Sequence, residues 1–139
     1  MLTVRWRGGM AFEAEVPSGN NFVMDAIPDF GGNNLGPTPV EAFLSSAAAC
    51  SAMDVVAILE KKRQKITDYK IEVEWQRAPY GTPAPRPVLA VIIRHILKGE
   101  NLDPIAVQKA VELSDTKHCT VVTTLRHGPA VSSEFRIDP

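Results

Sequence analysis

The sequence predicts an α+β fold, an antiparallel sheet with helices packed on one side and a long central helix buried in the middle. Three observations lead there. The strand-like segments come in hairpin-linked pairs rather than alternating with helices. One stretch, residues 36–63, is small or apolar on nearly every face. The order of elements, three strands, long helix, two strands, helix, strand, lacks the regular βα alternation of an α/β fold.

Taken in order, Leu2 to Arg7 alternates apolar and polar residues, Gly8-Gly9 supplies a hairpin turn, and Met10 to Val16 alternates again. Pro17 to Asn20 forms a second turn before a third short strand, Asn21 to Asp25. The next segment, IPDFGGNNLGP at Ile27 to Pro37, is a loop that leads to the long helix. Ile66 to Gln76 alternates through Ile71, Val73 and Trp75, as a strand with one covered face does. RAPYGTPAPRP at Arg77 to Pro87 carries too many prolines for a central strand and reads as a long hairpin loop, with Val88 to Leu97 returning. Asp103-Pro104 caps a second helix that ends near Asp115. CTVVTTL at Cys119 to Leu125 is rich in β-branched residues, which favours strand, but is too short for periodicity to decide. Val131 to Ile137 alternates as a final strand. No repeat or composition break divides the chain, so one domain over residues 1–139 is expected.

The long helix is sharply marked at both ends. Thr38 suits the N-cap, Pro39 the first helical position, and Glu41, three residues after Thr38, completes a capping box. Glu60-Lys61-Lys62-Arg63 puts cations where the helix dipole favours them. At ~1.5 Å per residue the segment is long enough to cross a bilayer, but Glu41 and Asp54 interrupt it and leave no run of ~18 apolar residues. A core helix is the expectation. One small chain has trouble covering all its faces, which points to burial between two subunits.

Composition narrows the function further. With 45% hydrophobic and 22% charged residues, a net charge of -1 and a pI near 6.3, nothing favours nucleic acid or an anionic membrane. Residues 1–10 hold Arg5, Trp6 and Arg7 with no apolar run behind them, so no secretory signal is read and a reducing cytoplasm is expected. Two cysteines, Cys50 and Cys119, are too few for a disulfide scaffold. No metal-ligand spacing accompanies them, so neither metal nor cofactor is expected. Two buried thiols serving as small hydrophobes is one reading. The other is a reactive and a resolving thiol, favoured by one cysteine lying among small residues and the other at a helix-to-loop junction beside His118.

At this point the residues carry a resemblance. GPTPVEAFL at Gly36 to Leu44, AAACSAMDV at Ala47 to Val55 and KHCTV at Lys117 to Val121 together resemble the OsmC/Ohr family of thiol-dependent hydroperoxide reductases, in a divergent OsmC-like branch. The resemblance spans essentially the whole chain. It implies an OsmC-like fold in an intertwined homodimer, the N-terminal hairpin of one subunit joining the sheet of the other, with active sites at the interface. It also implies that Cys119 begins a short helical turn. Cys50 would attack an organic hydroperoxide and Cys119 would resolve the product as a disulfide, to be reduced by an external dithiol such as a lipoyl group.

That chemistry needs a thiolate, and an ordinary cysteine, near pKa ~8.5, is mostly protonated at neutral pH. A mid-helix cysteine gets no help from a helix N-terminus, so a cation must come from elsewhere. The resemblance assigns this role to an arginine on the N-terminal segment held by a glutamate at the helix start; Arg7 fits best, then Arg5. Glu41 stands nine positions before Cys50, on roughly the opposite side of the helix at ~100° per residue, so capping explains it as well as catalysis does. Asp54 shares the face of Cys50 and must be paired if that thiol is reactive. Phe30, Leu35, Phe43 and Met53 are candidates for a pocket around the organic group. The reading from another class is a dimeric binding protein of the same fold that takes a hydrophobic ligand.

Overall fold

The computed structural model describes residues 1–138. Two compact units are distinguished, one from Met1 to Ser46 and one beginning at Ala47. The first holds an antiparallel sheet of β1 (Thr3–Trp6), β2 (Phe12–Glu15) and β3 (Phe22–Met24), with Trp6 opposite Phe12 and Phe12 opposite Met24. Gly8 and Gly9 both take positive φ at the first turn, the conformation a tight hairpin requires there. Between β3 and the long helix, a single 3-10 turn at Pro28–Phe30 interrupts the loop.

The long helix α1 runs Pro39–Lys61 and starts on the expected capping box. Thr38 N–H donates to Glu41 Oε2 at 2.9 Å, and Glu41 N–H donates to Thr38 Oγ1 at 3.3 Å. It stops short of Arg63 because that residue adopts φ 56, outside helical space. By length and composition alone α1 could cross a bilayer. One of its faces packs in the core, where Val55 and Leu59 are fully buried against Ala106 and Ala110 of the second helix. Coverage is one-sided within a single chain, however, and Phe43 and Met53 lie exposed on α1.

In the second unit, β4 (Lys65–Arg77) and β5 (Val88–Glu100) form a long antiparallel ribbon. Tyr69, Ile71 and Val73 on β4 and Val91, Ile93, His95 and Leu97 on β5 make the more covered face, as the period of two demands. Helix α2 follows (Pro104–Leu113), its N-cap Asp103 accepting from Ile105 N–H at 2.9 Å. A π-helical turn, Ser114–His118, then leads to α3 (Thr120–His127).

Two expectations are corrected. At residues 119–125 the local leaning toward strand gives way to the helical turn the resemblance implies, because Cys119 acts as N-cap with its Sγ accepting from Val122 N–H at 3.4 Å. Val131 to Ile137 is not a strand. Alternation makes a strand only where an edge is available to pair with, and here Val131, Phe135 and Ile137 remain exposed.

Candidate functional site

Helix α1 buries Ala47, Ser51, Val55 and Leu59 along one edge at spacings of four, so Ser51 is a hydroxyl in an otherwise apolar stripe. A buried hydroxyl must find partners. Ser51 Oγ lies 3.2 Å from Ser114 Oγ and 3.4 Å from His95 Nε2. Ser114 Oγ is also 3.1 Å from the Ser51 carbonyl oxygen and 3.3 Å from Asp54 Oδ2. On the far side of the imidazole, His95 Nδ1 meets Tyr69 OH at 2.6 Å. One placement of protons satisfies the whole set. The Tyr69 phenol donates to Nδ1, Nε2–H donates to Ser51, Ser51 donates to Ser114, and the single Ser114 proton is shared between Asp54 and the Ser51 carbonyl.

Burial supports that placement. It pushes Tyr69 up to about 12, so the phenol keeps its proton. It also pulls His95 below its ordinary 6.5, against a weaker opposing pull from Asp115, so the ring is neutral at pH 7. The chain ends on the Asp54 carboxylate, which accepts from the Ser114 hydroxyl at 3.3 Å and has no ion pair among the described residues.

The cysteines lie at the other end of the same cluster. Cys119 is fully buried and Cys50 half-buried, both are free, and the Cys50 sulfur lies near enough to act electrostatically on the Cys119 thiol. The backbone N–H of Cys119 donates to the Ser114 carbonyl at 2.9 Å. Burial pushes the Cys119 thiol up; the Cys50 sulfur beside it adds to the shift, and the Val122 N–H partly offsets it. Cys119 therefore holds its proton at neutral pH.

The remaining sequence candidates are placed as follows. Arg7 pairs with Glu13 across the hairpin, and Arg5 Nε donates to Glu15 Oε1 at 2.6 Å. Glu41 is engaged in the capping box. Phe30, Leu35, Phe43 and Met53 are each exposed. Among the described residues, no group of three or more His, Cys, Asp or Glu is arranged to hold a metal ion. Sequence reading missed Tyr69, His95, Ser51 and Ser114. A signal existed for His95, a polar residue on the face of β5 that otherwise carries Val91, Ile93 and Leu97.

The family described as OsmC-like protein matches residues 31–134. The chain belongs to the OsmC family. Protein YhfA of Escherichia coli K12 is 32% identical over 134 residues, covering 96% of this chain and 95% of YhfA. A hypothetical protein from Aquifex aeolicus superposes with a TM-score of 0.75 at 26% identity, over 92% of this chain and 87% of the other. An organic hydroperoxide resistance protein OsmC from Legionella pneumophila gives a TM-score of 0.65 at 17% identity, over 91% and 90% of the two chains, a likeness of fold. The expected OsmC-like α+β fold is thus the observed one.

Proposed function

We propose that this chain is a thiol peroxidase that reduces organic hydroperoxides, with Cys50 as the attacking thiol and Cys119 as the resolving one. The observation that carries the reading is a half-buried Cys50 on the turn of α1 that Ser114 ties to the segment ending at the fully buried Cys119. The Cys50 thiolate attacks the distal peroxide oxygen, the O–O bond breaks, and the alkoxide takes a proton to leave as an alcohol, giving a sulfenic acid. The Cys119 sulfur then displaces the sulfenic hydroxyl, which departs with the Cys119 thiol proton as water, and an external dithiol such as a lipoyl group reduces the disulfide. Membership of a family that includes a named hydroperoxide resistance protein supports this chemistry.

Arg7, held by a carboxylate, is the cation of this reading, with Arg5 second; Glu41 acts chiefly as the helix cap. The functional unit is a cytoplasmic homodimer in which a second copy covers the exposed Phe43 and Met53 of α1, and Phe30 and Leu35 complete an apolar pocket.

One equivalent of cumene hydroperoxide should convert the protein to an intramolecular Cys50–Cys119 disulfide, seen by mass spectrometry. Cys119→Ser should instead leave a trappable sulfenic acid on Cys50 that over-oxidises with excess peroxide. If both thiols of the unmodified protein stay free, the reading fails and the hydrophobic-ligand protein takes its place. Sedimentation of a stable folded monomer at micromolar concentration would remove the dimer.

A further inference from the structure

We propose that Ser114 is a positioning residue that clasps the two cysteine-bearing segments together and so sets how readily the Cys50–Cys119 disulfide closes. The inference rests on the cysteine pairing proposed above, but not on peroxide being the oxidant.

Ser114 is fully buried and opens the π-helical turn Ser114–His118 that ends at Cys119. Its two polar ends do different things. The carbonyl receives the Cys119 backbone N–H at 2.9 Å and fixes where α3 begins. The hydroxyl reaches across to α1, to the carbonyl of Ser51 at 3.1 Å, to Ser51 Oγ at 3.2 Å and to Asp54 Oδ2 at 3.3 Å. Ser51 follows Cys50 directly in the chain, and Asp54 lies one turn further on. The position of Cys119 is therefore tied to the turn of α1 that carries Cys50 through one residue and two consecutive links.

A wide π turn, in which one residue more is enclosed than in an α turn, is costly in regular packing and persists where surrounding contacts hold it. The hydroxyl of Ser114 is such a contact. Without it the turn is free to relax toward α-helical winding, which would rotate Cys119 away from Cys50. A disulfide tolerates little of this, since its Cα atoms must lie within about 7 Å with the Cβ atoms facing. His95 and Tyr69 stand behind Ser51 and hold its hydroxyl in place.

The test is a glutathione redox titration of the full-length protein, in which oxidised glutathione takes two electrons from Cys50 and Cys119, forming the disulfide and releasing two reduced glutathione molecules. Ser114→Ala should lower the equilibrium constant for closure about tenfold, as loss of a buried hydrogen-bonded clasp implies. Ser51→Ala, which keeps the Ser51 carbonyl as acceptor, should lower it about threefold. A constant unchanged in Ser114→Ala overturns the proposal. Should Ser114→Ala not fold, by circular dichroism, Ser51→Ala decides: an unchanged constant overturns the clasp and a lowered one upholds it. The two readings fail separately. If glutathione closes the disulfide in the unmodified protein but peroxide does not, the peroxidase falls and the clasp stands; if neither oxidant closes it, both fall.

Discussion

Each unit buries a polar cluster, and the two are built on opposite plans. In the first, Asp25 is only 1% exposed and its carboxylate accepts backbone N–H groups from Ala26 at 2.7 Å, Asn33 at 3.0 Å and Leu35 at 3.2 Å. Every partner lies within ten residues. In the second, the Tyr69, His95, Ser51, Ser114 and Asp54 chain links side chains from two strands, a helix and the π turn. A single charge tied to nearby amides shapes a loop, whereas a chain of mostly neutral groups from distant segments fixes how elements meet. The first cluster concentrates its stabilisation in one residue; the second spreads it over several.

The largest effect is therefore expected at Asp25. Burial alone would raise this carboxyl, but the amides of Leu35, Ala26 and Asn33 outweigh it and hold it below its ordinary 3.8. Asp25→Ala leaves all three N–H groups without their acceptor and should lower the melting temperature by more than about 5 °C. The loop has little room to adapt. A Cβ on Gly32 would sit 1.8 Å from the Ala26 carbonyl oxygen, and one on Gly36 2.1 Å from that of Val23. Because the folded carboxyl titrates below the unfolded one, its contribution is present above pH 3.8 and is lost as pH falls through the folded value. A melting temperature within a degree of the unmodified protein would break the contrast between the clusters.

A smaller, pH-dependent effect is expected at His95. Its folded value lies below the unfolded 6.5, chiefly through burial, so on acidification the unfolded chain takes up the proton first. Its stability contribution is full above pH 6.5 and declines as pH falls through the interval beneath. The difference in urea-unfolding free energy between the unmodified protein and His95→Gln should therefore shrink from pH 7.5 to pH 5. A difference independent of pH would mean that the imidazole is not neutral inside the fold.

The contrast also explains how much was legible in the sequence. Local rules placed the first hairpin, the capping box of Thr38 and Glu41, the start of α1 and the strand through Ile71 and Val73, because each is decided by residues a few positions apart. Cys50 and Cys119 were legible through motif resemblance. The Ser51 to Ser114 contact was not, since it spans 63 positions and serines carry no periodic signal. Cys119 to Leu125 misled for the same reason: β-branched propensity is a weak prior, and the cap that makes the helix depends on where the preceding turn ends. At Val131 to Ile137 the alternation was real, but strand formation needs a partner that lies beyond local sequence.

The smallest effect is expected at Arg126, where the two kinds of interaction meet. Its guanidinium pairs with Asp115 at 2.7 Å in the last turn of α3, and both side chains are substantially exposed, 52% and 41%. An exposed pair of this kind is worth about 0–1 kcal/mol, so Arg126→Ala should barely change stability at neutral pH. Asp115, however, is the group that favours the charged form of His95. Removing the cation that partly screens Asp115 should strengthen its pull and move the His95 titration upward, toward its ordinary value. The fall in stability on acidification should then be shallower than in the unmodified protein, and more so at low salt than at ~1 M, where the Debye length shrinks to about 3 Å. The measurement is the imidazole titration of His95 by NMR in Arg126→Ala. An upward shift that salt suppresses supports a through-space link from the α3 surface into the buried chain. A titration unchanged at both ionic strengths would confine the Arg126 and Asp115 pair to the surface and leave burial alone to set the state of His95.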